Sequence, residues 1–202
     1  MTNKNTIGIV GQGFVGTAVR EGMTPFYHIE TYDKFKDSTC SSLEELVEAV
    51  EYLFICVPTP MKKTGECDLS ILKEVIHSID SCGHERILVI KSTVPPGTTE
   101  MLNKECKNAK VVFNPEFLTE ANYIDDFKNQ SRIIIGGPRP YSTMVKTLFK
   151  KAFPQTPIIK THSTIAETIK YFTNTFLATK VSFANEMKQF CDKKNIDYDK
   201  VV

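Results

Sequence analysis

The feature that most constrains the fold of this 202-residue chain is a regular alternation of two kinds of segment. Short runs rich in Val, Ile and aromatic residues fall at 6–10, 28–32, 52–57, 87–90, 110–113 and 132–135. Most are bounded by turn residues and apolar throughout, as strands covered on both faces are. The stretches between them carry helix signals. Ser41 and Ser42 each stand three residues before a glutamate, Glu44 and Glu45, a capping-box start for a helix toward Val50. Asp68 caps a helix to Ser81, and Pro95-Pro96-Gly97 breaks the chain before a helix to Lys107. This rhythm predicts an α/β domain with a mainly parallel sheet.

The last forty residues differ. From Thr164 to Lys194 there is no Gly or Pro, and Thr164 with Glu167 reads as another capping box. Ile165, Ile169, Phe172, Phe176, Thr179, Phe183, Met187 and Phe190 step by threes and fours, predicting one long helix with an apolar seam. At roughly 45 Å it exceeds one small domain, so it packs on a second domain or pairs with a second copy. The expected division is 1–160 for the sheet domain and 161–202 for a connecting, dimerising helix.

Charge and composition exclude several classes. Twenty-five Lys+Arg against 24 Asp+Glu leave a net charge of +1, which argues against a nucleic-acid or membrane-surface binder. No apolar run approaches the roughly 18 residues of a membrane span, and the first residues lack a signal-peptide apolar region. Cys40, Cys56, Cys67, Cys82, Cys106 and Cys191 form no C-x-x-C pair and read as reduced thiols of a cytoplasmic protein. The four histidines have no metal-ligand spacing, so no metal is expected.

The strongest motif is Gly11-Gln12-Gly13-Phe14-Val15-Gly16, which follows the first strand and opens a helix through Val19. Gly11 allows the tight turn, Gly13 the approach of a pyrophosphate, and Gly16 close helix–strand packing. The helix start offers free N–H groups to phosphates. Asp33 closes the second strand 22 positions after Gly11, where a carboxylate accepts ribose hydroxyls and repels a 2′-phosphate. That favours NAD over NADP, a preference softened by Lys34. The fold expected is a Rossmann-like, doubly wound, mainly parallel sheet followed by one long α-helix.

Four more segments carry candidate chemistry: Cys56-Val57-Pro58-Thr59-Pro60; residues 91–99 (KSTVPPGTT); residues 114–120 (NPEFLTE) with 132–136 (RIIIG); and Lys170-Tyr171-Phe172-Thr173-Asn174 running on to Asn185-Glu186. Three follow strands at their carboxyl ends, where open α/β sheets bind ligands. Thr59 and Thr93 place hydroxyls there, beside a cofactor or a water. Glu116 and Glu120, four apart, share a face if their segment is helical and then form a carboxylate pair. Lys170 and Asn174 are also four apart, and a lysine there orients a hydroxyl and stabilises an oxyanion. The competing readings are turn caps, a solvated acid pair and a lysine with its head in water.

In this order behind the glycine motif, the segments resemble the nucleotide-sugar dehydrogenases of the UDP-glucose/GDP-mannose dehydrogenase family over nearly the whole chain. The resemblance implies that Gly11, Gly13, Phe14, Val15, Gly16, Asp33, Lys34, Thr59, Thr93 and Glu120 contact NAD. It implies that Glu116, Phe117, Leu118, Thr119, Glu120, Lys170 and Asn174 hold the sugar nucleotide. Thr93, Glu120, Lys170 and Asn174 take catalytic roles, Glu120 as general base or water-orienting acid. The implied reaction oxidises the C6 alcohol of a nucleotide sugar, UDP-glucose to UDP-glucuronate foremost, reducing two NAD through intermediates held on a cysteine. The family's cysteine sits in a Gly-Phe-Gly-Gly-x-Cys-x-Pro-Lys-Asp stretch after the long helix, and this sequence stops at Val202 before it. The chain is therefore expected to be an N-terminal half without full turnover, and Cys191 a helix-packing residue. Two departures stand out: a short connection from Asp33 to Ser41, and Thr119 where many relatives carry a basic residue. A homodimer through the long helix is also implied. Alternatives are a single-hydride β-hydroxyacid dehydrogenase, and a non-catalytic NAD-binding partner subunit.

Overall fold

The computed structural model describes residues 5–202. Seven strands form one sheet: β1 (Thr6–Val10), β2 (His28–Tyr32), β3 (Tyr52–Ile55), β4 (Ile87–Ile90), β5 (Lys110–Phe113), β6 (Ile133–Gly136) and β7 (Ile158–Thr161). Their order is β2-β1-β3-β4-β5-β6-β7. Strands β1 to β5 are parallel, as in Ile7↔Tyr52 and Ile87↔Lys110. β6 joins β5 antiparallel through the single pair Phe113↔Gly136, and β7 is parallel to β6. The carboxyl ends of β6 and β7 therefore point to the opposite edge from those of β1 to β5.

The helices are α1 (Phe14–Met23), α2 (Leu43–Ala49), α3 (Ser70–Ser81), α4 (Thr98–Glu105), α5 (Tyr123–Lys128), α6 (Tyr141–Ala152) and α7 (Ser163–Lys194). They cover both faces, as all-apolar strands require. Leu46, Leu72, Ile76 and Leu102 of α2, α3 and α4 pack with Leu53, Leu88 and Val111 on one face. Val19, Met23, Phe127 and Phe149 of α1, α5 and α6 pack with Ile9, Phe54 and Val89 on the other. The fold is a doubly wound, Rossmann-like α/β domain ending in a long helix.

Several local expectations change. The third strand ends at Ile55, since Pro58 and Pro60 have no N–H to give a ladder. Strand β7 and helices α5 and α6 join the alternation read from sequence. The Ser42 box forms: its hydroxyl accepts from the Glu45 N–H at 3.1 Å, while Glu45 accepts from the Ser41 N–H at 2.6 Å. The Thr164–Glu167 box does not. Helix α7 starts at Ser163, so Glu167 lies too far inside to reach back to the first turn. Its carboxylate instead accepts from the Gly97 N–H (2.6 Å), the Thr99 N–H (2.8 Å) and the Thr99 hydroxyl (2.6 Å), capping α4.

At 32 residues, α7 is about 48 Å long. Its buried residues are Ser163, Ala166, Glu167, Lys170 and Cys191, while Phe172, Phe176, Phe183 and Phe190 of the apolar seam are exposed. Cys191 is covered where the chain turns back, its carbonyl accepting from the Ile196 N–H at 2.9 Å. Among the described residues no helix is long and apolar enough to cross a membrane.

Candidate nucleotide and sugar site

Because β1 to β5 run one way, the segments that follow them meet along one edge. The glycine loop follows β1. Gly11 has φ +91°, and a Cβ on it would sit 2.7 Å from the Cys56 carbonyl oxygen. A Cβ on Gly16 would lie 1.9 Å from the Gly11 carbonyl oxygen, so α1 rests directly on the turn that starts it. Gly13, the N-cap of α1, faces open space, and the first turn of α1 carries no acid. That leaves a positive helix end free for phosphate. Phe14 is exposed, with its ring edge-on to Tyr123 at 5.3 Å between centroids, and Val15 is half-buried.

Asp33 stands beside this loop. Its carboxylate accepts from the Gln12 N–H at 2.6 Å and the Phe35 N–H at 2.9 Å. The short connection after it folds back over the loop: the Lys36 ammonium donates to the Gln12 carbonyl at 2.7 Å, and Gln12 Nε2 to the Asp37 carbonyl at 2.6 Å. A cleft of about 410 Å³ is lined by Gly11, Asp33, Lys34, Val57 and Pro58. Beyond it, Thr59 Oγ1 donates to the Thr93 carbonyl at 2.7 Å, tying the loops after β3 and β4 together.

At the far end the loop after β5 meets α7. The Lys170 ammonium donates to Glu116 Oε1 at 2.8 Å and to the Glu116 carbonyl at 2.6 Å. The two side chains are only 5 % and 13 % exposed. Glu116 Oε2 accepts from the Leu118 N–H at 2.7 Å, fixing the turn through Phe117. The Phe117 ring lies 5.4 Å from the Lys170 ammonium and 5.3 Å from the Arg132 guanidinium. Thr119 gives its N–H and hydroxyl to Asp126, at 2.8 and 2.6 Å. Lys91, Glu116, Phe117, Leu118, Arg132 and Thr173 line a second cleft of about 370 Å³.

One expectation and one competing reading fail here. Residues 114–119 are not helical, so Glu116 and Glu120 form no carboxylate pair. Glu116 pairs with Lys170, and Glu120 is exposed with no side-chain bond among the described residues. Lys170 is buried rather than extended into water, whereas Asn174, one turn on, is exposed.

Lys91 was given no role by its sequence, yet it is buried under the site and donates to Asn114 Oδ1 at 2.8 Å. The Asn114 side-chain Nδ2 in turn donates to the Ile134 carbonyl at 2.7 Å. Burial pushes the Lys91 ammonium down to about 8; Glu116 and Cys56 oppose that and Lys170 adds to it. Burial pushes the Cys56 thiol up to about 12, which keeps it unreactive. A signal for Lys91 existed: a lysine directly after an all-apolar strand, at a ligand-binding edge. Glu167 offered none, because its partners lie some seventy residues away, at separations of 68 and 70.

A doubly wound sheet with a glycine loop closing β1 and an acid closing β2 is a dinucleotide-binding domain. The chain belongs to the UDP-glucose/GDP-mannose dehydrogenase family: residues 30–153 match its NAD binding domain and residues 164–202 its central domain. It is 32% identical over 199 residues to UDP-glucose 6-dehydrogenase TuaD of Bacillus subtilis, covering 91% of this chain and 43% of that one. It is 39% identical over 166 residues to a UDP-glucose 6-dehydrogenase of Rickettsia bellii, covering 78% and 38%. A UDP-glucose dehydrogenase structure from Pyrobaculum islandicum superposes with TM-score 0.85 at 26% identity, over 99% of this chain and 56% of that one. The chain thus spans about half the length of the relatives it matches.

Proposed function

We propose that this chain is the cofactor-binding half of an NAD-dependent nucleotide-sugar dehydrogenase, with residues 1–160 as the cofactor unit and 161–202 as the connecting helix. The observation that carries this is the buried Lys170–Glu116 pair, set on the same sheet edge as the glycine loop. NAD fits the loop: Gly13 is open, the α1 N-terminus is free of acids, and Asp33 stands where the adenosine ribose would lie. Gly11, Gly13, Phe14, Val15 and Gly16 hold its phosphates, Asp33 and Lys34 its ribose, and Thr59, Thr93 and Glu120 the nicotinamide half. Bound there, NAD supplies the hydride acceptor.

The chain's own residues do the rest. Phe117, Leu118 and Thr119 present backbone to the sugar nucleotide. Lys170 and Asn174 orient the C6 oxygen, and the Lys170 charge stabilises it as it becomes negative. Glu116 holds Lys170 in place, while Glu120 and Thr93 orient water. Relatives named UDP-glucose 6-dehydrogenase support UDP-glucose as substrate, with UDP-glucuronate as product and two NAD reduced. The exposed phenylalanines of α7 support a homodimer through that helix. Six free cysteines support a cytoplasmic setting.

Calorimetric titration with NAD present tests the reading. UDP-glucose is expected to bind about tenfold more tightly than GDP-mannose. Asn174→Ala, at an exposed position, should weaken UDP-glucose and leave NAD unchanged. Tighter GDP-mannose binding would move the substrate to the other sugar, and equal loss of NAD and UDP-glucose would remove Asn174 from the substrate site.

A further inference from the structure

The reversed pair β6 and β7 creates a second carboxyl edge, on the side of the sheet away from the glycine loop. Open α/β sheets bind ligands where strands end and helices begin. Here β6 runs through Gly137 and Pro138 into α6, and β7 runs through His162 into α7. Between them and α4 lies a cleft of about 800 Å³, the size of a small-molecule site.

Its lining is cationic. Lys104, Arg139 and Lys160 face it beside the His162 imidazole, against the single acid Glu100, which accepts from Thr164 Oγ1 at 3.2 Å. Among the described residues Lys104, Arg139 and His162 make no side-chain hydrogen bond or ion pair. Lys160 spends one proton on Thr143 Oγ1 at 2.6 Å. Desolvation, then the charges of Arg139 and Lys146, hold the Lys160 ammonium below the usual lysine range. Two serines supply an independent observation. Ser142 and Ser163 line the cleft, are 3% and 5% exposed, and their hydroxyls have no partner among the described residues. Among the described residues no sealed side-chain oxygen lacks a partner, so both hydroxyls open on the cleft and are free to donate to a ligand there. Ser163 also opens α7, so the N-terminus of that helix borders the cleft.

We propose that this cleft is a second ligand site, built for a small phosphate-bearing anion. A tetrahedral oxyanion takes donors from several directions at once: the guanidinium of Arg139, the ammonium of Lys160, the two serine hydroxyls and the start of α7. The space left over accommodates what the phosphate is attached to. This site is independent of the nucleotide-sugar reading, since no residue of the first edge belongs to it.

The test is a site-resolved titration of the ¹⁵N-labelled 202-residue chain with inorganic phosphate and, separately, adenosine monophosphate, at constant ionic strength set by chloride. Saturable shifts are expected at the amides of 163–166 and 141–142, with a phosphate Kd on the order of 1 mM. Arg139→Ala with Lys160→Ala should raise that Kd about tenfold or more. Arg139→Glu, at an exposed position that does not threaten folding, should do the same. Tighter binding of the nucleotide assigns the ligand to phosphate plus an attached group; equal binding assigns it to phosphate alone. Shifts confined to residues 11–16, shifts matched by chloride, or a Kd indifferent to the Arg139 variants would overturn the site.

Discussion

Helix α7 divides at Lys170 into a buried start and an exposed apolar remainder. In the first two turns the buried residues include the ionisable Glu167 and Lys170. Beyond them Phe172, Phe176, Val181, Phe183 and Phe190 stand exposed, Phe172 and Phe176 with parallel rings 6.4 Å apart. A buried charge costs more than a buried apolar group unless each of its bonds is made. Glu167 makes three and holds the start of α4, just after the Thr93 loop. Lys170 makes two and holds the Glu116 loop. The buried start of the helix therefore fixes both walls of the site. The rest of the helix, from Phe172 on, presents an apolar face of the kind that marks a protein interface.

The sharpest way to break this contrast is Lys170→Met, which strands the half-buried Glu116 carboxylate. It should cost on the order of 4 kcal/mol, read by urea unfolding. A cost under about 1 kcal/mol would make the pair a surface one. Next comes Glu167→Ala, which leaves the Gly97 and Thr99 N–H groups unpaired and should cost about 3 kcal/mol, lowering Tm by roughly 9 °C.

Lys91 sharpens the comparison through pH. Its ammonium is held down to about 8 against an ordinary 10.5, so between these values the unfolded chain binds more protons. Stability then rises with pH across that window, by up to about 1.4 kcal/mol per unit, and the penalty is fully present below it. The Cys56 thiol and Tyr52 phenol, both raised to about 12, act the other way above pH 9 to 10. The readout is accordingly the difference between the wild type and Lys91→Met, which should lose the rising component. The smallest stability effect belongs to the exposed part of α7 beyond Lys170. Phe176→Ser should change unfolding by less than about 0.5 kcal/mol while weakening self-association in sedimentation. A large loss of stability there would mean the ring packs within its own chain.

How legible this was depends on the range of the interactions. Strands β1 to β6 and helix α7 were readable because period and turn chemistry are local. The apolar positions Val145, Leu148, Phe149 and Ala152 of α6 also follow a helical spacing, a local signal of the same kind. Strand β7 is half-exposed and ends in Lys160 and Thr161, so it lacks the all-apolar run that marks β4. The glycine loop and Asp33 were legible because their spacing is fixed by one β-α-β unit. The helical reading of Glu116 and Glu120 failed because two acids four apart look alike in a turn and in a helix. The likeness of Thr164–Glu167 to a capping box misled for a related reason. Glu167 was claimed by a partner distant in sequence, and only tertiary packing reveals such partners.

The central claim is that the edge formed by β1 to β5 holds NAD through the glycine loop and Asp33. The most direct test is calorimetric titration of the 202-residue chain with NAD and with NADP, for the wild type and Asp33→Ala. The account predicts one saturable NAD site, about tenfold weaker for NADP, with that discrimination lost in the variant. Absence of NAD binding, or an unchanged preference in Asp33→Ala, would contradict it.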